Sequence, residues 1–302
     1  MIQQQNPSLE KKVDLTLSNT AREYTALLFE CQRVSNREFD QALHSLRKVA
    51  TKYWIGSLRF AADRLEYIRH HGIQAFNIGG TMGSGKSAVG KLLAQRIGFT
   101  FQDSDTFHSE ENKAKMNQGT PLSDNDRVSF LNGIQKFLTT PRRVSSCSAL
   151  TEIHRAILSG QNAELLRNPV ATRVPLLFWN MPEPNYGLQH IILSKPYEIA
   201  LEELEESIRS GKNREIDGKG HFIEVTRHTE YFTSISGNTP LLLNQYQLLL
   251  SKPIYPWDAI TIDTTTMRTS TGYDCSATLE RLETLPISTN DLDQASLFDR
   301  KE

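Results

Sequence analysis

The sequence predicts a three-layer α/β protein built on a parallel five-stranded sheet, preceded by an all-α N-terminal extension. Two observations predict it. Apolar residues keep a three-and-four spacing through the first ~72 residues, the mark of amphipathic helices. From Gln74 onward, short apolar runs alternate with helical patterns, as in a sheet covered by helices on both faces.

In the extension, Val13, Leu17, Ala21, Tyr24, Leu28 and Cys31 form one stripe. Ser35 and Glu38 have capping-box spacing. After them Phe39, Ala42, Leu46, Val49 and Tyr53 run on into Trp54, Leu58, Ala61, Leu65 and Ile68, before Gly72 offers a stop. The expectation is a helical hairpin over 1–72, its stripe buried on the next unit, on a second copy of the chain or on a protein partner. Strands are expected at Ala75–Gly79, Phe99–Asp103, Arg143–Cys147, His190–Leu193 and Ala259–Asp263. Helices are expected at Lys86–Arg96, at Asp124–Leu138 behind the Ser123/Asp126 capping pair, and at Pro196–Ser210. Four prolines, Pro169, Pro175, Pro182 and Pro184, mark an insertion over about 160–188, and 286–302 reads as a polar, flexible tail. The main unit is thus 73–285.

Net charge is −1, from 34 basic and 35 acidic residues, and the chain is 38% hydrophobic. That is enough to fold, and too little positive charge for a general nucleic-acid binder or a polybasic membrane module. Cys31, Cys147 and Cys275 are odd in number and far apart, so neither a disulfide framework nor a zinc site is expected. With no apolar run of bilayer length and no secretory signal in MIQQQNPSLEKK, the expected setting is cytoplasmic, without membrane or nucleic-acid contact.

Gly80-Thr81-Met82-Gly83-Ser84-Gly85-Lys86-Ser87 matches GxxxxGK[ST] between an expected strand and an expected helix. Glycines let such a loop curl so that successive N–H groups, and those of the helix start reaching Ala88, face a phosphate. Lys86 then reaches the β- and γ-phosphates of ATP or GTP, and the Ser87 hydroxyl ligates Mg2+. The second expected strand runs into Asp103-Ser104-Asp105-Thr106-Phe107-His108, two carboxylates at the edge that faces the ligand crevice. One carboxylate suits a Mg2+-bound water and the other a base for an attacking hydroxyl.

These stretches resemble the gluconokinases, within the shikimate-kinase-like P-loop kinases. So do Lys115-Met116-Asn-Gln-Gly119-Thr-Pro121-Leu122-Ser-Asp124-Asn-Asp126-Arg127, Cys147-Ser-Ala-Leu150 and Gly220-His221-Phe222. The resemblance covers about 75–265 and is strongest over 79–150. It implies a P-loop kinase fold of strand order 2-3-1-4-5 and transfer of the ATP γ-phosphoryl group to the 6-hydroxyl of D-gluconate, a small-molecule sugar acid. It implies ATP binding by Gly80 to Ala88, with Lys86, Asp105 and Arg214 catalytic and Mg2+ on Ser87 and Asp103. The acceptor falls to Asp105, His108, Arg127, Arg155 and His221, since a sugar acid needs cations for its carboxylate and polar partners for its hydroxyls. Residues 209–222, with Lys212, Arg214 and Lys219, resemble the cationic lid of such kinases.

The acceptor half departs from the family pattern. Thr151 stands where the family has lysine, and Tyr-Arg-Asp becomes His154-Arg155-Ala156. A Gln-Phe-Glu pattern beyond the lid becomes Tyr231-Phe232-Thr233. Two alternatives stay open at this point: a kinase for another polar acceptor, and a regulatory nucleotide-binding protein that contacts a partner through its N-terminal helices.

Overall fold

The computed structural model describes residues 7–118, 120, 122–161, 184–210, 212–216, 222–226, 235–269 and 272–289. The N-terminal stretch forms α1 (Pro7–Glu30), α2 (Asn36–Tyr53) and α3 (Gly56–His71). The capping box is present: the Ser35 side chain accepts from the Glu38 N–H, and the Glu38 carboxylate accepts from the Ser35 N–H. The second stripe is two helices where the sequence predicts one. Trp54 takes the left-handed conformation at φ 55° and its N–H bonds the Ala50 and Thr51 carbonyls, closing α2, and the chain restarts at Gly56. The break turns the axis, so that Leu46 and Ala50 on one side and Leu58 and Leu65 on the other reach a common core.

β1 (Ala75–Gly80), α4 (Lys86–Ile97), β2 (Thr100–Asp103), α5 (Glu110–Asn117), α6 (Asp124–Thr139), β3 (Arg143–Ser146), α7 (Glu152–Leu158) and β4 (Leu188–Ser194) follow. Then come α8 (Tyr197–Ser210), the antiparallel pair β5 (Lys212–Ile216) and β6 (Phe222–Thr226), and α9 (Ile235–Leu250). β7 (Ile260–Asp263), the two-residue strands β8 (Arg268–Thr269) and β9 (Gly272–Tyr273), and α10 (Ser276–Glu283) close the chain. The main sheet is parallel in the order β2-β3-β1-β4-β7. Because β5 and β6 stand apart as their own hairpin, this is the expected order 2-3-1-4-5, with β7 as the fifth strand.

Every residue of β1 is buried, as a central parallel strand requires. Phe76 and Ile78 enter one core with Val144 and Ile191, covered by α4, α10 and the N-terminal helices through Tyr24, Leu28, Leu46 and Leu65. Ala75 and Leu188, on the other side, meet Leu131, Ile134 and Leu138 of α6 and Ile157 and Leu158 of α7. The extension is therefore a wall of the sheet.

Arg64 of α3 fixes that wall. It is 1% exposed, and its guanidinium donates to the Leu188 carbonyl at 3.1 Å, the Trp257 carbonyl at 3.5 Å and the Tyr24 hydroxyl. One buried charge thus ties α1, the start of β4 and the approach to β7. Two expected boundaries move. The Ile73 N–H donates to the Pro286 carbonyl at 2.7 Å and the Ser288 N–H to the Ile73 carbonyl at 3.0 Å, so the predicted tail begins after this pairing; 290–302 lie outside the described residues. The insertion ends earlier than predicted, because Asn185 bonds the Ser159 and Leu138 carbonyls and Leu188 opens β4; 162–183 lie outside the described residues.

Arg64→Ala strands two carbonyls and a hydroxyl in the core and is expected to cost on the order of 3 kcal/mol in urea unfolding. Arg47→Ala removes half-exposed pairs with Asp63 and Glu66 and is expected to cost under about 1 kcal/mol in the same measurement.

Candidate active site

The site lies where β1, β2 and β3 end. β1 runs into Gly80, whose φ of 135° and close approach to β4 exclude a side chain: a Cβ would sit 2.3 Å from the Leu193 carbonyl oxygen. The Gly80 N–H is held by the Ser148 carbonyl at 3.1 Å. Gly83 and Gly85 also have positive φ, 74° and 90°, and nothing lies within 4 Å of where a Gly83 Cβ would stand. The loop is an open cradle of amides above the first turn of α4, the shape and polarity that fit a phosphate.

Lys86 folds back over the loop and donates to the Thr81 carbonyl at 2.8 Å. Burial lowers its pKa, against the opposing pull of Asp105 and Asp103. The Ser87 hydroxyl donates to Asp103 Oδ2 at 2.5 Å and lies 3.4 Å from the Ser146 hydroxyl. Asp103 Oδ1 accepts the Asp105 N–H at 3.1 Å, so this carboxylate also caps the 3-10 turn Ser104–Phe107. The turn sets Asp105 beside Lys86 at the crevice. Crowding by protein raises its pKa, the negative charge of Asp103 raises it further, and Lys86 lowers it. A carboxyl raised in this way is a stronger proton acceptor than a solvated one. Ser87 and Asp103 are the oxygen donors that fit Mg2+, which takes few protein ligands and completes its shell with phosphate and water. Among the described residues no group of three His, Cys, Asp or Glu is placed to hold a metal. Cys147 beneath the site is buried, its thiol pushed up to about 12 by burial, which makes it inert packing.

His108 closes the 3-10 turn and stacks on Phe130 of α6, with ring centroids 3.8 Å apart and planes 3° from parallel. Burial pushes its pKa down to about 4, helped by the charges of Arg127 and Lys113. At neutral pH it is a hydrogen-bonding imidazole and no cation. Arg127 stands in the first turn of α6, close enough to bear on His108. Contacts brace α5 against α6: Lys115 pairs with Asp126 at 2.6 Å, Ser123 and Asp126 form the predicted capping box, and Asn112 donates to the Asp126 carbonyl at 2.6 Å.

The structure thus brings together Lys86, Ser87, Asp103 and Asp105, with His108 and Arg127 next to them. It sets Arg155 apart, against the sequence expectation. Arg155 is 2% exposed, with Nε and Nη2 bonded to Asp258 and Nη1 to the Ala149 carbonyl at 2.7 Å. An arginine buried on a short helix must be neutralised there, and Asp258 does so. Thr151, at the family's lysine position, is the N-cap of α7. The backbone of Arg214 pairs with Glu224 across the β5–β6 hairpin. His221 and Tyr231-Phe232-Thr233 lie outside the described residues.

One residue near the loop was missed in the sequence: Gln245 of α9, whose Oε1 accepts the Met82 N–H at 2.6 Å.

Strand order and cradle together define a protein of P-loop kinase fold. The shikimate kinase family profile matches residues 82–165. The chain is 45% identical over 85 residues to a probable gluconokinase of Rattus norvegicus, covering 26% of this chain and 46% of that one. It is 40% identical over 90 residues to a gluconokinase of Arabidopsis thaliana, covering 28% and 48%. It therefore spans about half the length of these curated relatives. A crystal structure of a gluconokinase from Sinorhizobium meliloti 1021 aligns with 70% of this chain and 93% of its own, at a TM-score of 0.45 and 24% identity. No helix among the described residues is long and apolar enough to cross a membrane.

The histidine gives a pH prediction. His108 binds a proton below about 6.5 in the unfolded chain and below about 4 in the folded one, so its contribution is present above 6.5 and lost as pH falls toward 4. His108→Gln is expected to narrow the gap between melting temperatures measured at pH 7 and pH 4.5. For Asp105 the sign is opposite: its raised pKa favours the protonated folded state, so stability falls as pH rises through that pKa. Asp105→Asn is expected to raise the melting temperature at pH 8 by more than at pH 4.

Proposed function

We propose that the chain is an ATP-dependent phosphotransferase that moves the γ-phosphoryl group of ATP to a hydroxyl of a sugar acid, D-gluconate to 6-phosphogluconate. The observation that carries this reading is the placement of Asp105: its N–H is held by Asp103 Oδ1 at 3.1 Å, which sets its carboxylate two residues from the Ser87–Asp103 oxygen pair at the phosphate loop. The likeness to gluconokinases over this stretch supports the choice of acceptor.

In this reading the free amides between Gly83 and Ala88 hold the phosphates, and Lys86 draws charge from the β- and γ-oxygens as the bond to the γ-phosphorus loosens. Ser87 and Asp103 hold Mg2+, which supplies charge neutralisation when bound. The acceptor hydroxyl gives its proton to Asp105 as its oxygen bonds phosphorus, and ADP leaves with the electrons of the broken bridging bond. Arg127 takes the acceptor's carboxylate, and neutral His108 bonds a hydroxyl. Arg214 supplies a further cation to the transferring phosphoryl group, and His221 a polar partner to the acceptor. The N-terminal helices serve as a wall of the kinase unit, and the setting is cytoplasmic.

The test is ADP release with Mg·ATP across a panel of sugar acids led by D-gluconate, with Lys86→Ala as blank. Gluconate-dependent turnover is expected, and Asp105→Asn is expected to lower it a hundredfold or more while changing ATP affinity less than about threefold. Turnover with a different acid alone reassigns the acceptor. Nucleotide binding with no acceptor at all overturns the enzyme in favour of a nucleotide-binding regulator.

A further inference from the structure

The base of the phosphate loop is fixed by β1 and α4, but its tip is held from outside. The Met82 N–H donates to Gln245 Oε1 at 2.6 Å. The Met82 side chain packs on a cluster of Ala200 and Leu204 from α8 with Leu242 and Tyr246 from α9. That anchor is rigid. The Tyr246 hydroxyl donates to the Lys195 carbonyl at 2.7 Å just past β4, its ring meets Tyr197 edge-on at 5.2 Å, and buried Lys195 pairs with Glu203 at 2.7 Å. Gln245 is therefore a fixed acceptor aimed at the loop.

Its chemistry is specific. An acceptor is needed, because the Met82 N–H is otherwise spent on water or on a phosphate. A carboxylate would accept that bond equally well, and α8 shows that they abound nearby, with Glu198, Glu202, Glu203, Glu205 and Glu206. Yet a negative charge one hydrogen bond from the cradle would repel a triphosphate at short range. The amide is the side chain that accepts without charge.

We propose that Gln245 is a positioning residue for the nucleotide: it takes the Met82 amide and fixes the loop tip, while the Ser84 N–H is held by the Thr81 carbonyl at 3.2 Å, and so leaves the amides of Gly83, Gly85, Lys86 and Ser87 for the phosphates. This deepens the kinase reading and rests on it for the identity of the ligand, but its test does not depend on the acceptor. Binding of the non-hydrolysable ATP analogue AMP-PNP with Mg2+ is measured by calorimetry on the full chain and on Q245A and Q245E.

Loss of one neutral hydrogen bond in Q245A is expected to weaken binding about fivefold. Q245E keeps the acceptor but adds charge, and is expected to weaken it tenfold or more, with a loss that shrinks as salt is raised. Both variants are expected to melt within about 3 °C of the parent. Where Q245A fails to fold, Q245M, of similar length and without an acceptor, carries the same expectation. Unchanged affinity in the folded variants, or failure of both Q245A and Q245M to fold, overturns the proposal and makes Gln245 a packing residue. A parent protein that binds the analogue and phosphorylates no sugar acid defeats the function above while leaving this comparison decisive.

Discussion

The constraint on which the rest depends is how closely β1 lies between its neighbours at its C-terminal end. A Cβ on Gly79 would fall 2.6 Å from the Ile192 side chain and 2.9 Å from the Ser148 carbonyl oxygen, and one on Gly80 would meet the Leu193 carbonyl. A third glycine, Gly90 in α4, gives Phe101 of β2 room that a methyl would take, at 2.6 Å. With side chains absent at these points, the loop sinks between β3 and β4 and α4 lies tight on the sheet. Only then do Ser87 and the end of β2 come into contact. Asp103, paired in register with Ser146, is the atom-level product of that descent.

The site divides into a half made by backbone and a half made by side chains. The phosphate half is backbone: glycine dihedrals, amides and a helix start, with Lys86 and the Ser87–Asp103 pair added. The acceptor half depends on rotamers and on partners far away in sequence. His108 owes its neutrality to Phe130 and to two neighbouring cations, and Arg155 is drawn off by Asp258, 103 residues on.

That division also explains what was legible in the sequence. The five strands, the P-loop and the two capping boxes are local signals, and each falls within a residue or two of its expected place. Asp103 and Asp105 were legible because strand polarity alone puts them at the ligand edge. The break at Trp54 was not, since the apolar spacing runs through it unbroken and the turn is dictated by burial of α2 and α3 in one core. Arg155 was misread because an arginine after a strand looks the same whether it faces a ligand or a buried carboxylate. Gln245 was missed because a lone glutamine on a helix has no meaning until the fold brings Met82 to it.

The Arg64 clasp has a consequence in time. Its two carbonyl partners lie 124 and 193 residues further along the chain. At about 5–20 residues per second, a growing chain waits roughly 10–40 s between making Arg64 and making Trp257. Until β1, β3 and β4 are made Tyr24, Leu28, Leu46 and Leu65 have no sheet to cover them, and the guanidinium has its first carbonyl only with Leu188 and its second only with Trp257. The helices that end as a wall begin as an exposed apolar surface, and the core is complete only when β7 arrives.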